Sequence, residues 1–180
     1  VASILVLAGC TAAGTTNDPS SLGSTSTTTT ATQTTGTSGT TTTTSVDVDW
    51  DSLPTTNVTL TDAGLTITEA GTYVLTGSST GQVTVDTDGE VRIVLDGVTI
   101  DSTVGAAIQV DNAELAVVEL AEGSVNTVSD AATRTDEDID GAIYSSDDLY
   151  LTGTGTLNVT ATFADGIVGK DDLWILSGDR

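Results

Sequence analysis

Two segments near the end of this chain match each other residue for residue at a constant offset of 24. Residues 142–151 read A-I-Y-S-S-D-D-L-Y-L, and residues 166–175 read G-I-V-G-K-D-D-L-W-I. A weaker copy at 107–113 precedes the first by 35 residues, and the polar insertion at 129–140 accounts for the extra length. A fixed offset of this size, built from strands and turns, is typical of a solenoid with parallel coils. An antiparallel β-sandwich is the alternative, but its strands do not repeat at a fixed offset.

The rest of this region has a sequence pattern that is typical of short strands. Clusters of Gly, Asp and Ser separate runs of alternating apolar residues, and this pattern indicates strands joined by turns. The spacing at 114–122 would also suit a helix, yet its strand-like neighbours favour a strand. The runs lie at 58–60, 65–67, 73–75, 83–85, 91–95 and 98–100. We therefore predict one all-β domain over residues 46–180, truncated at its C-terminus.

The repeat also predicts which residues become neighbours. Stacked coils lie about 4.8 Å apart, so equivalent residues of successive coils form vertical columns. Ile143 should lie over Ile167 in the interior, and Leu149 should lie over Leu173.

The same stacking brings carboxylates together, with Asp147 beside Asp171 and Asp148 beside Asp172. Two like charges 4–5 Å apart cost about 1 kcal/mol in water, so such a stack favours a bound cation. Several hard oxygen ligands suit Ca²⁺, whereas Mg²⁺ would retain its waters. The sequence therefore predicts a calcium site in these turns, against the alternative that the acids only solubilise a surface turn.

A second acidic pattern, D-x-D-x-D-G-x-I, begins at Asp136 and includes Asp138 and Asp140. Asp147 falls at its twelfth position, which is the spacing of an EF-hand calcium loop. The closing residue is Asp instead of Glu, and the flanking helices are missing. The segment is either an EF-like loop or an acidic insertion that feeds the stacked site.

The front of the chain has a different character. Residues 1–9 are apolar and small, and we interpret them as the remnant of a signal peptide. The pattern L-A-G-C at 7–10 resembles a bacterial lipobox, which implies lipidation of Cys10. Threonine fills 14 of the 20 positions from 25 to 44, so we expect 10–45 to be a flexible linker. We expect an exported protein, lipid-anchored in the cell envelope, and a chain that is a fragment because it lacks an initial methionine.

Charge and composition exclude several functions. The formal charge is -22, from 26 acidic and four basic residues, so nucleic acid and anionic membrane surfaces are poor partners. Histidine is absent and Cys10 is the single cysteine. Zinc, haem, disulfide and Ser–His–Asp chemistry are therefore not expected.

Several ordered segments carry a family resemblance. They read E-A-G-T-Y-V-L-T-G at 69–77, V-L-D-G-V-T-I at 94–100, A-E-G-S-V-N-T-V at 121–128, D-E-D at 136–138 and G-I-V-G-K-D-D-L at 166–173. Together they resemble the bacterial carbohydrate-binding domain family, which is similar to a group of pectate lyases. The resemblance implies a right-handed parallel β-helix, bound Ca²⁺, and affinity for plant-wall or other acidic polysaccharides.

Three functions remain open at this point. In a non-catalytic binder, Tyr150 and Trp174 occupy equivalent coil positions and would form a sugar platform, unless they only pack beneath a loop. In a lyase, Lys170 is the one plausible base, although it is also a natural charge partner for the neighbouring carboxylates. In a structural adhesin, calcium would only stiffen the fold. We favour the binder.

Overall fold

The computed structural model describes residues 47–176, and within them the fold is all-β. The predicted signal remnant, the lipidation site Cys10 and the linker lie outside the described residues. A 3-10 turn at Trp50–Ser52 precedes the first strand. None of the described helical segments is long and apolar enough to cross a membrane. The strands are β1 Thr55–Leu60, β2 Leu65–Ile67, β3 Gly71–Ser79, β4 Val83–Asp86, β5 Glu90–Asp101, β6 Ile108–Asn112, β7 Leu115–Leu120, β8 Val125–Ser129, β9 Gly141–Ser145, β10 Leu149–Gly153, β11 Thr156–Thr160, β12 Asp165–Gly169 and β13 Leu173–Ile175.

Every strand pairing in the described part of the chain is parallel. The first sheet runs β1-β3-β5-β7-β10-β13, with β8 joining β5 to β11. The second runs β2-β4-β6-β9-β12. The chain returns to each sheet once per coil and adds a strand beside the previous one. Parallel stacking is confirmed, and an antiparallel sandwich is excluded for these residues. The helix-like stretch forms strand β7, as expected.

The registers confirm the columns predicted from the repeat. Leu149 pairs with Leu173 across β10 and β13, and Ile143 pairs with Ile167 across β9 and β12. Ile108 pairs with Ile143, so the weaker copy at an offset of 35 is in register as well. The additional residues are accommodated between β8 and β9, where the polar insertion was expected.

Columns of aliphatic side chains form the core between the two sheets. In the first sheet Leu75 pairs with Leu95, which pairs with Leu120, and all three side chains are buried. In the second sheet Ile67 and Val85 form the equivalent buried column. Burial of each such side chain contributes about 1.5–3 kcal/mol. Strand alternation turns the intervening residues outward, where threonine and charged residues are common.

One buried polar residue, Asn126, stabilises a corner between coils. Its Oδ1 accepts hydrogen bonds from the backbone N–H groups of Gly97 and Val98, at 2.9 and 3.0 Å. Its Nδ2 donates to Ser124 Oγ and Thr156 O. Gly97 has a φ of +75°, a conformation that favours glycine. The Asn126 side chain therefore accepts from two backbone N–H groups that the bend in β5 removes from the hydrogen bonding of the sheet.

We predict that Asn126→Ala lowers the free energy of unfolding by roughly 2 kcal/mol, because the buried N–H of Val98 and the part-buried N–H of Gly97 lose their acceptor. Urea denaturation followed by circular dichroism measures the change. Asn158→Ala is the matched control, since Asn158 is exposed and makes a single 3.4 Å hydrogen bond. Its effect should stay within about 0.5 kcal/mol. Equal losses in the two variants would contradict the role given to Asn126.

Candidate cation and saccharide site

Two turns of successive coils lie directly against each other. The turn at 146–148 links β9 to β10, and the turn at 170–172 links β12 to β13. Backbone hydrogen bonds join them, from Lys170 N to Ser145 O and from Leu149 N to Asp172 O, both 2.9 Å. The flanking strands are in register on both sides. The aspartates at 147 and 148 therefore occupy positions equivalent to those at 171 and 172 in the next coil. We call these two segments the stacked turns.

Asp147 is the best-anchored carboxylate of the stacked turns. Its Oδ2 accepts from the backbone N–H of Ala113 at 3.0 Å and from Ser146 Oγ at 3.3 Å. Its own N–H donates to Ser145 Oγ at 3.2 Å. Asn112, at the equivalent position one coil earlier, donates instead to Thr87 O and Asp88 Oδ1. Asp147 thus connects its turn to the preceding coil.

The other three carboxylates are freer. Asp148 is half-buried, whereas Asp171 and Asp172 are exposed. Within residues 47–176, no three carboxylate, histidine or cysteine side chains are arranged as a ready-made metal site. Exposed side chains change rotamer within picoseconds to nanoseconds, so a cation would gather them on binding. The set offers oxygen ligands alone, which is the donor chemistry of Ca²⁺.

An aromatic pair lies immediately beyond the stacked turns. Tyr150 pairs with Trp174 across β10 and β13, and their ring centroids are 6.0 Å apart with the planes inclined by 15°. Both rings are partly exposed. Burial raises the pKa of Tyr150, and the negative charges of Asp148 and Asp172 raise it further. The aromatic pair and the acidic turns therefore share one electrostatic environment.

The insertion places its own carboxylates elsewhere. Asp136 Oδ1 accepts from the N–H of Asp138 at 3.0 Å, and both residues are exposed. Asp140 precedes β9, whereas Asp147 follows it, and this extended strand alone spans roughly 13 Å. The predicted ligands thus fall into two groups: Asp136, Asp138 and Asp140 at one end of β9, and the carboxylates of the stacked turns at the other. An EF-type loop that closes on Asp147 is not formed in this structure.

Arg134 holds the insertion against the coils, a role that the sequence analysis missed. Its Nη2 lies 2.6 Å from Asp130 Oδ2, and the two side chains are only 2% and 0% exposed. The guanidinium also lies 4.8 Å from the ring centroid of Phe163. Its remaining donors bond backbone carbonyl oxygens of Ala131, Ile139 and Gly141. One of only four basic residues, placed within an acidic segment, was the available signal.

Lys170 is paired as well. Its Nζ lies 3.3 Å from Asp140 Oδ1 and 5.6 Å from the ring centroid of Tyr144. Burial raises the pKa of Tyr144, Lys170 lowers it, and the charges of Asp140, Asp136 and Asp111 raise it. The Lys170 side chain therefore extends from its stacked turn over the ring of Tyr144 and pairs with Asp140 of the insertion.

These features define an all-β domain of stacked parallel strands, with acidic turns and a partly exposed aromatic pair at one side. The chain belongs to the carbohydrate-binding domain-containing protein family, whose sequence model matches residues 61–180. The expected family is thereby confirmed, and a carbohydrate-related function follows from it.

Two relatives show how far the similarity extends. A carbohydrate-binding domain-containing protein of Acetivibrio thermocellus is 39% identical over 121 residues, which is 63% of this chain and 42% of that protein. A solved structure is described as the polysaccharide lyase-like protein from C. thermocellum, gadolinium derivative. It is 32% identical with a TM-score of 0.65, over 68% of this chain and 59% of that one. The chain therefore spans less than two thirds of each relative.

We predict that Asp130→Ala destabilises the domain by about 3–5 kcal/mol, because it leaves a buried guanidinium without its counter-charge. Thermal denaturation measures the loss. Asp140→Ala is the control, since it breaks the exposed pair with Lys170 and should cost less than about 1 kcal/mol. A comparable loss in the two variants would show that burial does not distinguish these pairs.

We also predict that Asp148→Asn/Asp172→Asn lowers the pKa of Tyr150 toward its usual value near 10. Removing two negative charges makes the phenolate easier to form, so the direction is downward. Ultraviolet titration resolves this residue as the difference from a Tyr150→Phe background. Asp96→Asn/Glu122→Gln removes the same charge from exposed corners and should leave the pKa of Tyr150 in place. An unchanged pKa of Tyr150 in the Asp148→Asn/Asp172→Asn variant would mean that the turn carboxylates do not act on this phenol.

Proposed function

We propose that this domain is a right-handed parallel β-helix that binds acidic polysaccharide through calcium held at the stacked turns, without cleaving it. The observation that carries the proposal is the register that places Asp147 and Asp148 against the equivalent aspartates of the next coil. Family membership supplies carbohydrate as the class of ligand.

The charge distribution favours a bridging cation. All three basic residues among 47–176 already have acidic partners: Arg92 pairs with Glu119, Arg134 with Asp130, and Lys170 with Asp140. An anionic polymer therefore meets a strongly acidic protein surface without a basic cleft in the described region. A divalent cation between protein carboxylates and uronate carboxylates would turn that repulsion into attraction.

Calcium also fits the donor set. Asp147 is preorganised by its bonds to Ala113 and Ser146, while the more exposed carboxylates can move to complete the coordination. The residues that would hold the ion are Asp147, Asp148, Asp171 and Asp172. The solved neighbour is described as a gadolinium derivative, and such hard cations prefer oxygen ligands. The insertion carboxylates Asp136, Asp138 and Asp140 would form a separate, weaker site.

The aromatic pair provides the second half of the proposed site. Tyr150 and Trp174 lie on the strands that follow the stacked turns, so a sugar bridged by calcium could rest its C–H face on the rings. Aromatic side chains offer large contact areas with a polar edge. Ligand binding at these two residues is therefore part of the proposal.

Non-catalytic binding is favoured over lyase chemistry by the surroundings of Lys170. A base must reach the proton that it removes, and the Lys170 amine is engaged with Asp140 and the face of Tyr144. A calcium-dependent lyase is the second candidate, because the solved neighbour is described as polysaccharide lyase-like. A structural adhesin is the third.

The proposal also includes the location. We place the protein in the cell envelope, lipid-anchored through Cys10, with residues 10–45 as a tether that extends the domain away from the membrane. Such a tether would give the domain access to polymers outside the cell. Polysaccharide is then the partner, and the membrane is contacted through the lipid alone.

Retention on insoluble polygalacturonate, in Ca²⁺ and in EGTA, tests the proposal. We expect binding that EGTA abolishes, and at least a tenfold loss in Asp171→Asn/Asp172→Asn, whose exposed side chains are replaceable without loss of fold. Asp96→Asn/Glu122→Gln, with the same change in net charge, should bind normally. Ultraviolet absorbance of unsaturated uronate product, measured in parallel, would favour the lyase. An intact fold without retention in either condition would leave the adhesin and refute the binder.

A further inference from the structure

A cavity of about 290 Å³ opens at the other end of the second sheet, beside β2 and β4 and far in sequence from the stacked turns. Its volume is close to the lower end of the range for small-molecule sites. The proposed function makes no use of it. The lining residues that carry the argument are Asp62, Thr66, Gln82, Thr84, Thr103 and Val104.

Uncharged hydrogen-bonding groups dominate this cavity. The hydroxyls of Thr66 and Thr84 lie 3.2 Å apart on neighbouring strands. The Gln82 amide donates to Ala106 O at 2.9 Å and to Gln109 Oε1 at 3.2 Å. The threonine hydroxyls both donate and accept, as sugar hydroxyls do, whereas the Gln82 amide has both N–H donors bonded and offers its Oε1 as an acceptor.

Two glycines, which have no side chain, make room for Gln82. A Cβ on Gly105 would lie 2.4 Å from Gln82 Nε2, and a Cβ on Gly64 would lie 2.3 Å from Gln82 O. Gly64 also has a φ of +75°. Side chains at these two positions would displace the amide or the turn that carries it. The cavity is therefore shaped by the sequence around one fixed amide.

The cavity continues into a polar row on the outer face of the second sheet. Strand registers place Thr66 beside Thr84, Thr84 beside Gln109, and Gln109 beside Tyr144. The residues flanking this row, among them Val83 and Ile108, point into the core. Neighbouring strands are about 4.8 Å apart. That spacing is close to the length of one pyranose unit in an extended chain.

An apolar edge completes the surface. Val104 is 61% exposed at the rim of the cavity. An exposed valine next to hydroxyl and amide groups offers a contact for the C–H face of a sugar ring. Binding sites for small ligands combine apolar lining with a few oriented polar groups in this way.

We infer that this cavity and polar row form a second saccharide site, which takes a neutral, extended hexose polymer without a metal ion. The inference rests on the proposed function in taking carbohydrate as the ligand, but not on the calcium site.

The charges near the row favour a neutral ligand over an anionic one. No basic residue lines the cavity, and its single carboxylate, Asp62, accepts from the N–H of Thr80 at 3.0 Å. At the far end of the row the Lys170 amine lies 5.6 Å from the Tyr144 ring, but its charge is paired with Asp140. Asp111, which accepts from Gln109 Nε2 at 2.7 Å, adds a further negative charge beside the row. A uronate polymer would be repelled here, whereas a neutral glucan would not.

Isothermal titration with cellohexaose in EGTA tests this site. Thr66→Val/Thr84→Val removes the two hydroxyls and keeps β-branched side chains in the strands, so the Kd should rise about tenfold. Thr59→Val/Thr76→Val is closely matched: those hydroxyls lie 3.4 Å apart on β1 and β3, and Thr76, like Thr84, also bonds the neighbouring strand's backbone. We expect this control to bind as the unmodified chain does.

A second variant and a second ligand make the outcomes distinct. Val104→Asp changes an exposed rim residue and should weaken cellohexaose binding while the thermal unfolding midpoint stays in place. Both cavity variants should retain calcium-dependent binding to polygalacturonate. Unchanged cellohexaose affinity in both cavity variants, equal losses in the Thr59/Thr76 control, or no cellohexaose binding by the unmodified chain would overturn the inference. If the unmodified chain binds cellohexaose but does not bind polygalacturonate, the proposed function is refuted and the second saccharide site is not.

Discussion

In-register parallel stacking of the coils is the constraint on which the rest of this structure depends. Because each coil repeats the backbone path of the previous one, residues at equivalent positions form columns across the strands. Leu75, Leu95 and Leu120 form such a column in the core. Tyr150 and Trp174 form another at the surface, next to the paired aspartates. The interactions that stabilise the fold and the groups of the proposed binding site thus arise from one geometric rule.

Stacking also explains why polar residues inside the domain need specific partners. Parallel coils must bend between sheets, and each bend removes backbone N–H and C=O groups from the ladder. Asn126 satisfies two of these N–H groups at one corner. Arg134 binds three carbonyl oxygens around the insertion, with Asp130 as its counter-charge. In both places a single side chain replaces several missing backbone hydrogen bonds.

The sequence predicted those parts of the fold that repeat, and little of what does not. The 24-residue offset predicted that Leu149 would pair with Leu173, because identical spacing within two coils leaves one register that buries the same side chains. It could not show the orientation of the insertion, which has no counterpart in the next coil. The EF-like spacing was misleading about proximity, since β9 extends between Asp140 and Asp147. The cavity near Gln82 went unnoticed because the early coils share little residue identity with the later ones.

A structure built from equivalent coils can change the strength of the proposed polymer binding by changing its length. One further coil inserted between β9 and β12 would preserve every existing pairing type while adding another rung to both sheets. Each rung would bring one more position in the acidic column and one more in the aromatic column. Weak contacts repeated along a polymer multiply in avidity without any new kind of contact. Duplication of a coil would therefore change the avidity of the proposed site, while the chemistry of each binding position stays the same.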